Sequence, residues 1–352
     1  MRLVLLFIFS TLIVFITGCN QSPPITETVV TPHSPVAIST PTITPIISLQ
    51  ISLQSESTIE ASTENPATSQ PAVASVTPSP TLPPPTSVSQ AILTAHPEPT
   101  LSPEAWKMLP VVPEISDSVL QIYQRGLELG NNPRAYSKVG DCGSTPAWFL
   151  GDFDRGPRYY QLGNYQYLEA VIQEFKGSHA RTSLAGRAGF NAASLLVPLW
   201  ADPKQCQPTE HPLECEYRHH RPVIAFIMLG TNDIWHPQEF EPDMRKIIEY
   251  SIDNGVIPIL STKADNQEGD ASINATIANL AVEYDIPLWN YWRAIQQLPD
   301  HGLQEDGIHL TWGPNQFDKP ENMQKAWPVR NLTALQVLNA IWEKLAIHTQ
   351  AP

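Results

Sequence analysis

Between Pro222 and Leu229 the chain runs Pro-Val-Ile-Ala-Phe-Ile-Met-Leu without one charged or hydrogen-bonding side chain, and the run stops at Gly230. A strand with one wet face alternates apolar and polar residues; a strand apolar on both faces must be covered on both, which is the situation of a parallel sheet between helical layers. The sequence downstream keeps to that plan. Met244, Ile247, Ile248 and Ile252 recur at helical spacing, Gly255 stops the helix, and Val256 to Leu260 reads as the next strand, with Pro258 removing one ladder donor. Ile273, Ile277, Leu280, Ala281 and Tyr284 mark another helix, Ile286 to Asn290 another strand, and Leu335, Leu338, Ile341, Trp342 and Leu345 a last helix. Upstream, Ser137-Lys138-Val139 is a short first strand, followed by a helix over 165–175 with Leu168, Val171 and Ile172 inward. Strand and helix in alternation predict a three-layer α/β/α sandwich around a parallel sheet.

Composition confines that fold to the C-terminal part. From Asn20 to Pro103 there is no Gly, Lys or Arg, and about half of the chain's 35 prolines fall there among Ser and Thr. Such a segment cannot bury enough apolar surface to offset its ordering entropy, so residues 19–104 read as a semi-extended linker. The alternating stretch Ile46 to Leu53 has no similar neighbours to pair with and is read as part of it. Ahead of it, Arg2 precedes an apolar run, Leu3 to Ile16, too short for a hydrocarbon core of roughly 30 Å; residues 1–18 read as a signal peptide. Ile16-Thr17-Gly18-Cys19 resembles the bacterial lipobox, which implies lipidation of Cys19 and an exported protein held on a membrane; an ordinary secretory signal cut nearby is the alternative. The folded domain is expected over 105–352. The net charge of -14 argues against nucleic acid and against a basic patch for anionic lipid. Cys206 and Cys215 bracket a polar, Pro-containing loop and are expected to form a disulfide; with Cys19 given to lipid, elimination leaves Cys142 as the thiol of the set.

Four short blocks fall in order along the domain: Gly140-Asp141-Cys142, then Gly189, then Gly230-Thr231-Asn232-Asp233, then Asp306-Gly307-Ile308-His309. Together they resemble the SGNH, or GDSL-type, hydrolase family, whose first block is Gly-Asp-Ser after the first strand, followed by a lone Gly, Gly-x-Asn-Asp and Asp-x-x-His. The resemblance spans about 137–348, implies a flavodoxin-like fold, and departs at one atom, since Cys142 stands where the family has its nucleophilic serine. It implies Cys142 as nucleophile, His309 as general base and Asp306 as the group fixing its tautomer. The oxyanion hole would then take the backbone N–H of Cys142, the backbone N–H of Gly189 and the Asn232 amide.

Cys142 is expected just after a strand and at the start of a helix, where unpaired backbone donors favour a thiolate. A small buried core cysteine is the bland alternative, and Ser144 is a second candidate nucleophile. Gly186 is the alternative to Gly189. Trp148, Trp235 and Trp312 lie near the blocks and are candidate stacking surfaces for a sugar, with core packing the commoner use of any one of them. His211, His219 and His220 read as solvated loop residues rather than metal ligands, and the implied mechanism calls for no metal or cofactor. The expectation is an ester hydrolase acting on a small-molecule or glycan ester, with no protein partner evident. The rival is a binding module that has kept the cleft and lost turnover.

Overall fold

The computed structural model describes residues 101–350. The signal segment, Cys19, linker residues 19–100 and the stretch 46–53 lie outside the described residues.

The body begins at once, with the Leu101 amide donating to the Asn279 side chain at 3.2 Å. Its elements in chain order are helix α1 (Ser118–Glu128), strand β1 (Asn132–Gly140), short strand β2 (Tyr160–Gln161), α2 (Glu169–Glu174), α3 (Pro212–His220), β3 (Pro222–Met228), α4 (Pro237–Asp253), β4 (Ile257–Ser261), α5 (Ser272–Glu283), β5 (Leu288–Trp289), α6 (Tyr291–Ile295), β6 (Asn315–Gln316) and α7 (Ala326–Gln350). The main sheet has the order β1-β3-β4-β5 and every pairing in it is parallel. Helices flank it on both sides, as the buried apolar run required. β3 is buried along its whole length. On one face of the sheet Phe226 meets the rings of Tyr136, Phe149 and Trp289 at 5.3–6.0 Å, and α7 covers that face from above. Burying an aromatic side chain stabilises by roughly 1.5–3 kcal/mol.

Among the described residues the sheet gains no full fifth strand outside β1. The segment around Gly186 meets Gly140 through a single parallel bridge, with Gly140 N–H donating to Ala185 O (3.0 Å) and Arg187 N–H to Gly140 O (3.1 Å). That one bridge suffices to bring the second sequence block against the first.

Several elements differ from expectation for identifiable reasons. β1 has nine residues, not three, because its buried end carries the polar Ser137 and Lys138, which hide a strand from hydropathy. Burial lowers the Lys138 ammonium to about 7, and its Nζ donates to the His179 carbonyl at 2.7 Å. The expected helix over 165–175 is a 3₁₀ segment, Gly163–Leu168, running into α2. Cys206 and Cys215 are disulfide-bonded, Cα atoms 5.4 Å apart, as expected. The residues around the second cysteine are helical rather than a solvated loop, which corrects the reading of the three histidines. His211 caps α3 by accepting from the Glu214 amide, His220 lies against the Tyr136 carbonyl at 3.1 Å, and His219 alone of the three is exposed. Burial holds His211 and His220 below the ordinary histidine range. Among the described residues no helix is long and apolar enough to cross a membrane.

Candidate active site

All four blocks fall where an open parallel sheet places ligands, beyond the carboxyl ends of its strands. β1 ends at Gly140 and the chain turns through a three-residue 3₁₀ turn, Cys142–Ser144. The Asp141 carboxylate accepts from Gly143 N–H at 2.8 Å and closes the turn. No α-helix starts here, so the helix-dipole argument for a Cys142 thiolate does not apply. Ser144 is 1 % exposed and its hydroxyl donates to the Asp141 carbonyl at 2.5 Å, which removes it as a nucleophile.

Cys142 is half-buried, not a core residue, and it is disulfide-bonded. Among the described residues no cysteine is free. This corrects the elimination that left Cys142 as a thiol: the Cys206–Cys215 pairing in it holds, but its other premise, Cys19 given to lipid, does not decide the state of Cys142. A sulfur in a disulfide has no thiolate, so thiol chemistry at this position belongs to the reduced protein.

The two candidate glycines of the second block are now distinguishable. A Cβ on Gly186 would lie 3.0 Å from Ser144 Oγ and 3.1 Å from Lys138 O, so Gly186 is a packing glycine beside β1. Gly189 is exposed, has φ +82°, and has nothing within 4 Å of where a Cβ would sit. It therefore lies at the surface, next to the Phe190 carbonyl that Asn232 contacts. The third block follows β3. Asn232 donates one amide hydrogen to Phe190 O at 2.9 Å, fixing the side chain against the Gly189 segment and leaving its second hydrogen to point elsewhere. Asp233, 3 % exposed, accepts from Ala192 N–H and Gly230 N–H, both at 2.9 Å, and so ties the second block to the third. Burial raises its carboxyl to about 6 despite those two donors.

In the fourth block Asp306 Oδ1 accepts from the amides of Ile308 and His309, both at 2.9 Å, while Oδ2 lies 2.5 Å from His309 Nδ1. With Asp306 ionised the contact assigns the Nδ1 proton to His309 and makes Nε2 the basic nitrogen. Burial alone would raise the Asp306 carboxyl; the hydrogen bonds from the His309 ring and the two amides outweigh it and hold the group below its ordinary value. His309 is also close enough to act electrostatically on Asp141, the neighbour of Cys142. The first and fourth blocks thus share one site although about 165 residues separate them.

Two groups of residues here escaped the sequence reading. The loop after β4 carries Asp265, which accepts from the Thr231 hydroxyl (2.7 Å) and from Lys263 Nζ (2.7 Å), and Gln267, whose amide donates to Gly307 O (3.0 Å). That loop joins the third block to the fourth, and its place at a strand's carboxyl end was the signal available for it. Arg330 of α7 is the other: 6 % exposed, it donates to Gly143 O at 2.6 Å. A lone arginine in an apolar helical stretch was its only trace.

Of the tryptophans, Trp148 is partly buried, stacks on Trp327 at 5.3 Å and packs against the core. Trp235 and Trp312 are 75 % and 44 % exposed, three residues beyond Asn232 and His309 respectively. Among the described residues the cluster with metal-ligand spacing is Cys206, Glu210 and Cys215, whose sulfurs are consumed by their disulfide.

No family model matches the chain, and no curated protein matches it. Among solved structures it is similar to a GDSL-like lipase from Bacteroides thetaiotaomicron VPI-5482, with 14 % identity over 63 % of this chain and 97 % of that one and a TM-score of 0.38. It is similar also to a putative lipolytic protein of the G-D-S-L family from Desulfitobacterium hafniense DCB-2 (14 % identity, 58 % and 99 % covered, TM-score 0.35). A third is a catalytic mutant of an acetylxylan esterase from Geobacillus stearothermophilus (14 %, 58 % and 93 %, TM-score 0.38).

Proposed function

We propose that the chain is an ester hydrolase whose reduced form uses Cys142 as nucleophile, His309 as general base and Asp306 to fix the histidine. The observation that carries the reading is the Asp306 to His309 contact, 2.5 Å between Oδ2 and Nδ1, with the same carboxylate anchored by two backbone amides. A carboxylate held this way orients an imidazole and stabilises its protonated form, the requirement of a base that takes a proton and later returns it.

In the reaction the Cys142 proton passes to His309 Nε2 and the sulfur bonds to the acyl carbon, its carbonyl becoming an oxyanion. The Cys142 and Gly189 backbone N–H groups and the second hydrogen of the Asn232 amide supply the donors for that charge. Collapse expels the alcohol, which takes the proton from His309 and leaves a thioester on Cys142. Water, deprotonated by His309, then releases the acid and restores the thiol. The substrate we assign is a short acyl ester, with acyl groups on glycans as the natural class; the exposed Trp235 and Trp312 offer ring faces of the kind a sugar stacks on. We place the protein outside the cytoplasm from the signal segment alone, and assign lipid on Cys19 to the form in which Cys142 is reduced, because with Cys206 and Cys215 paired the four-cysteine chain holds no other cysteine for Cys142.

One observation favours the second reading, a cleft that binds a glycan or surface ligand without turnover: the Cys142 disulfide, which blocks attack. The two separate on His309→Ala. Under reductant a hydrolase loses its turnover of an activated acetyl ester; a binding module shows none to lose and keeps its affinity for an acetylated oligosaccharide.

A further inference from the structure

A guanidinium buried without a carboxylate against it is uncommon, because desolvating a charge costs several kcal/mol unless something replaces the lost water. Arg330 is such a group. Its carbon centre lies 4.9 Å from the ring centroid of Phe149, 5.1 Å from Trp327, 5.6 Å from Tyr291 and 5.8 Å from Trp289. Four aromatic rings from three parts of the chain, the Phe149 segment, Trp289 with Tyr291, and Trp327 on Arg330's own helix, thus surround one cation, with hydrogen bonds to the Gly143 carbonyl at 2.6 Å and to Met228 Sδ at 3.1 Å. Its Nε has no hydrogen-bond partner. A side chain chosen for stability alone would be apolar in this cage; replacing buried ionic groups by apolar ones of similar volume is often neutral or stabilising.

The one polar feature of the cleft that Arg330 touches is the turn carrying Cys142. Its guanidinium takes the carbonyl of Gly143, the residue after the sulfur, and its charge acts on Asp141, the residue before it. The titratable groups that share this region are Asp141 on the turn, the buried and neutral Tyr291 phenol on α6, and Asp233, Asp265 and His309, which reach the site through Asp141.

We propose that Arg330 is the positioning residue of the nucleophile turn: its caged guanidinium fixes the Gly143 carbonyl, orienting the turn and its N–H groups, and holds positive charge behind Cys142 that favours the thiolate. Cation–π contact keeps the cation in place without a carboxylate in ion-pair contact, so its field reaches the turn, where burial raises the Asp141 carboxyl against the pull of that charge. The role rests on the hydrolase reading for its effect on turnover, but its effect on the sulfur stands independently of any substrate.

The test uses the whole protein under reductant, as wild type, Arg330→Met and Arg330→Lys, each checked for a native near-ultraviolet circular dichroism spectrum. Two quantities are read: hydrolysis of an activated acetyl ester, and the pH dependence of Cys142 alkylation by iodoacetamide, located by peptide mass. Arg330→Met should lower kcat about a hundredfold with KM changed less than threefold, the scale expected for a misplaced nucleophile, and should move the alkylation midpoint up by about one pH unit. Arg330→Lys retains the charge and loses the fork, so the midpoint should return to within a few tenths of wild type while kcat recovers only in part. A folded Arg330→Met protein with wild-type kcat and an unmoved midpoint overturns the assignment. If Arg330→Met does not fold, Arg330→Lys decides: kcat and midpoint both at wild type overturn the assignment, whereas depressed kcat with a retained midpoint supports it. If wild type hydrolyses no ester yet the midpoint still moves in Arg330→Met, the hydrolase reading fails and the assignment of Arg330 stands.

Discussion

Changing Asp306 to Asn separates orientation from stability at a single atom. In the wild type Oδ1 accepts two backbone amides and Oδ2 faces His309 Nδ1. In Asp306→Asn the amide oxygen can keep both backbone bonds, so the turn persists. The NH₂ group then faces Nδ1 and, being a donor, stabilises the tautomer with its proton on Nε2, the wrong one for a base. The structural loss is one exposed hydrogen bond, as both side chains are more than a third exposed, and such contacts are worth about 0–1 kcal/mol. The catalytic loss is the base itself: a fall in kcat of about a thousandfold, or roughly 4 kcal/mol of transition-state stabilisation, somewhat under the ten-thousandfold typical of a fully buried triad carboxylate. The assay is steady-state hydrolysis of an activated acetyl ester under reductant beside a thermal melt. A melting temperature within about 2 °C of wild type with kcat down two to four decades is the expected outcome. A kcat within tenfold of wild type in a folded variant would refute the orientation argument.

Three further outcomes follow from the same geometry. Asn232→Ala removes an oxyanion donor and should cost kcat about a hundred- to a thousandfold with KM little changed, measured as initial rates over a range of ester concentration. The raised carboxyl of Asp233 sets a sign for stability: a folded-state value of about 6 against an ordinary 3.8 means that its contribution is fully present below pH 4 and is lost as pH rises through 6. The unfolding free energy of Asp233→Asn minus that of wild type, from denaturant melts, should therefore grow between pH 4 and 7, by on the order of 3 kcal/mol at most; a difference flat with pH would contradict it. Since Cys142 is disulfide-bonded, hydrolysis should be absent in the oxidised protein and appear on adding dithiothreitol, tracked by continuous release of the chromogenic alcohol.

The elements legible in the sequence were those whose burial is simple. β3 is apolar on both faces, and β4 and α5 follow patterns with a clear period, so each could be placed from side chains alone. β1 was underestimated because burial there is satisfied by specific partners: Ser137 donates to Glu216 and Lys138 to His179, pairings made by residues distant in the chain. α3 was hidden by a composition that reads as a loop and by a disulfide whose second cysteine is helical. At the site, Asp306 and His309 were legible because three residues of spacing and one turn bring them together. Arg330 was not, since its significance lies entirely in the four rings around it. The state of Cys142 was not legible either: the Cys206–Cys215 pair was, but the elimination that left Cys142 as a thiol depended on giving Cys19 to lipid.

Hydrolysis of a short activated acyl ester and its thioester counterpart, by the reduced protein as wild type, Cys142→Ala and Cys142→Ser, tests the nucleophile most directly. The account requires turnover in wild type and none in Cys142→Ala. Wild-type turnover that survives in Cys142→Ala, or turnover confined to Cys142→Ser, would contradict it: the first would place the attacking atom elsewhere, and the second would mean a hydrolase scaffold whose natural sulfur serves another purpose.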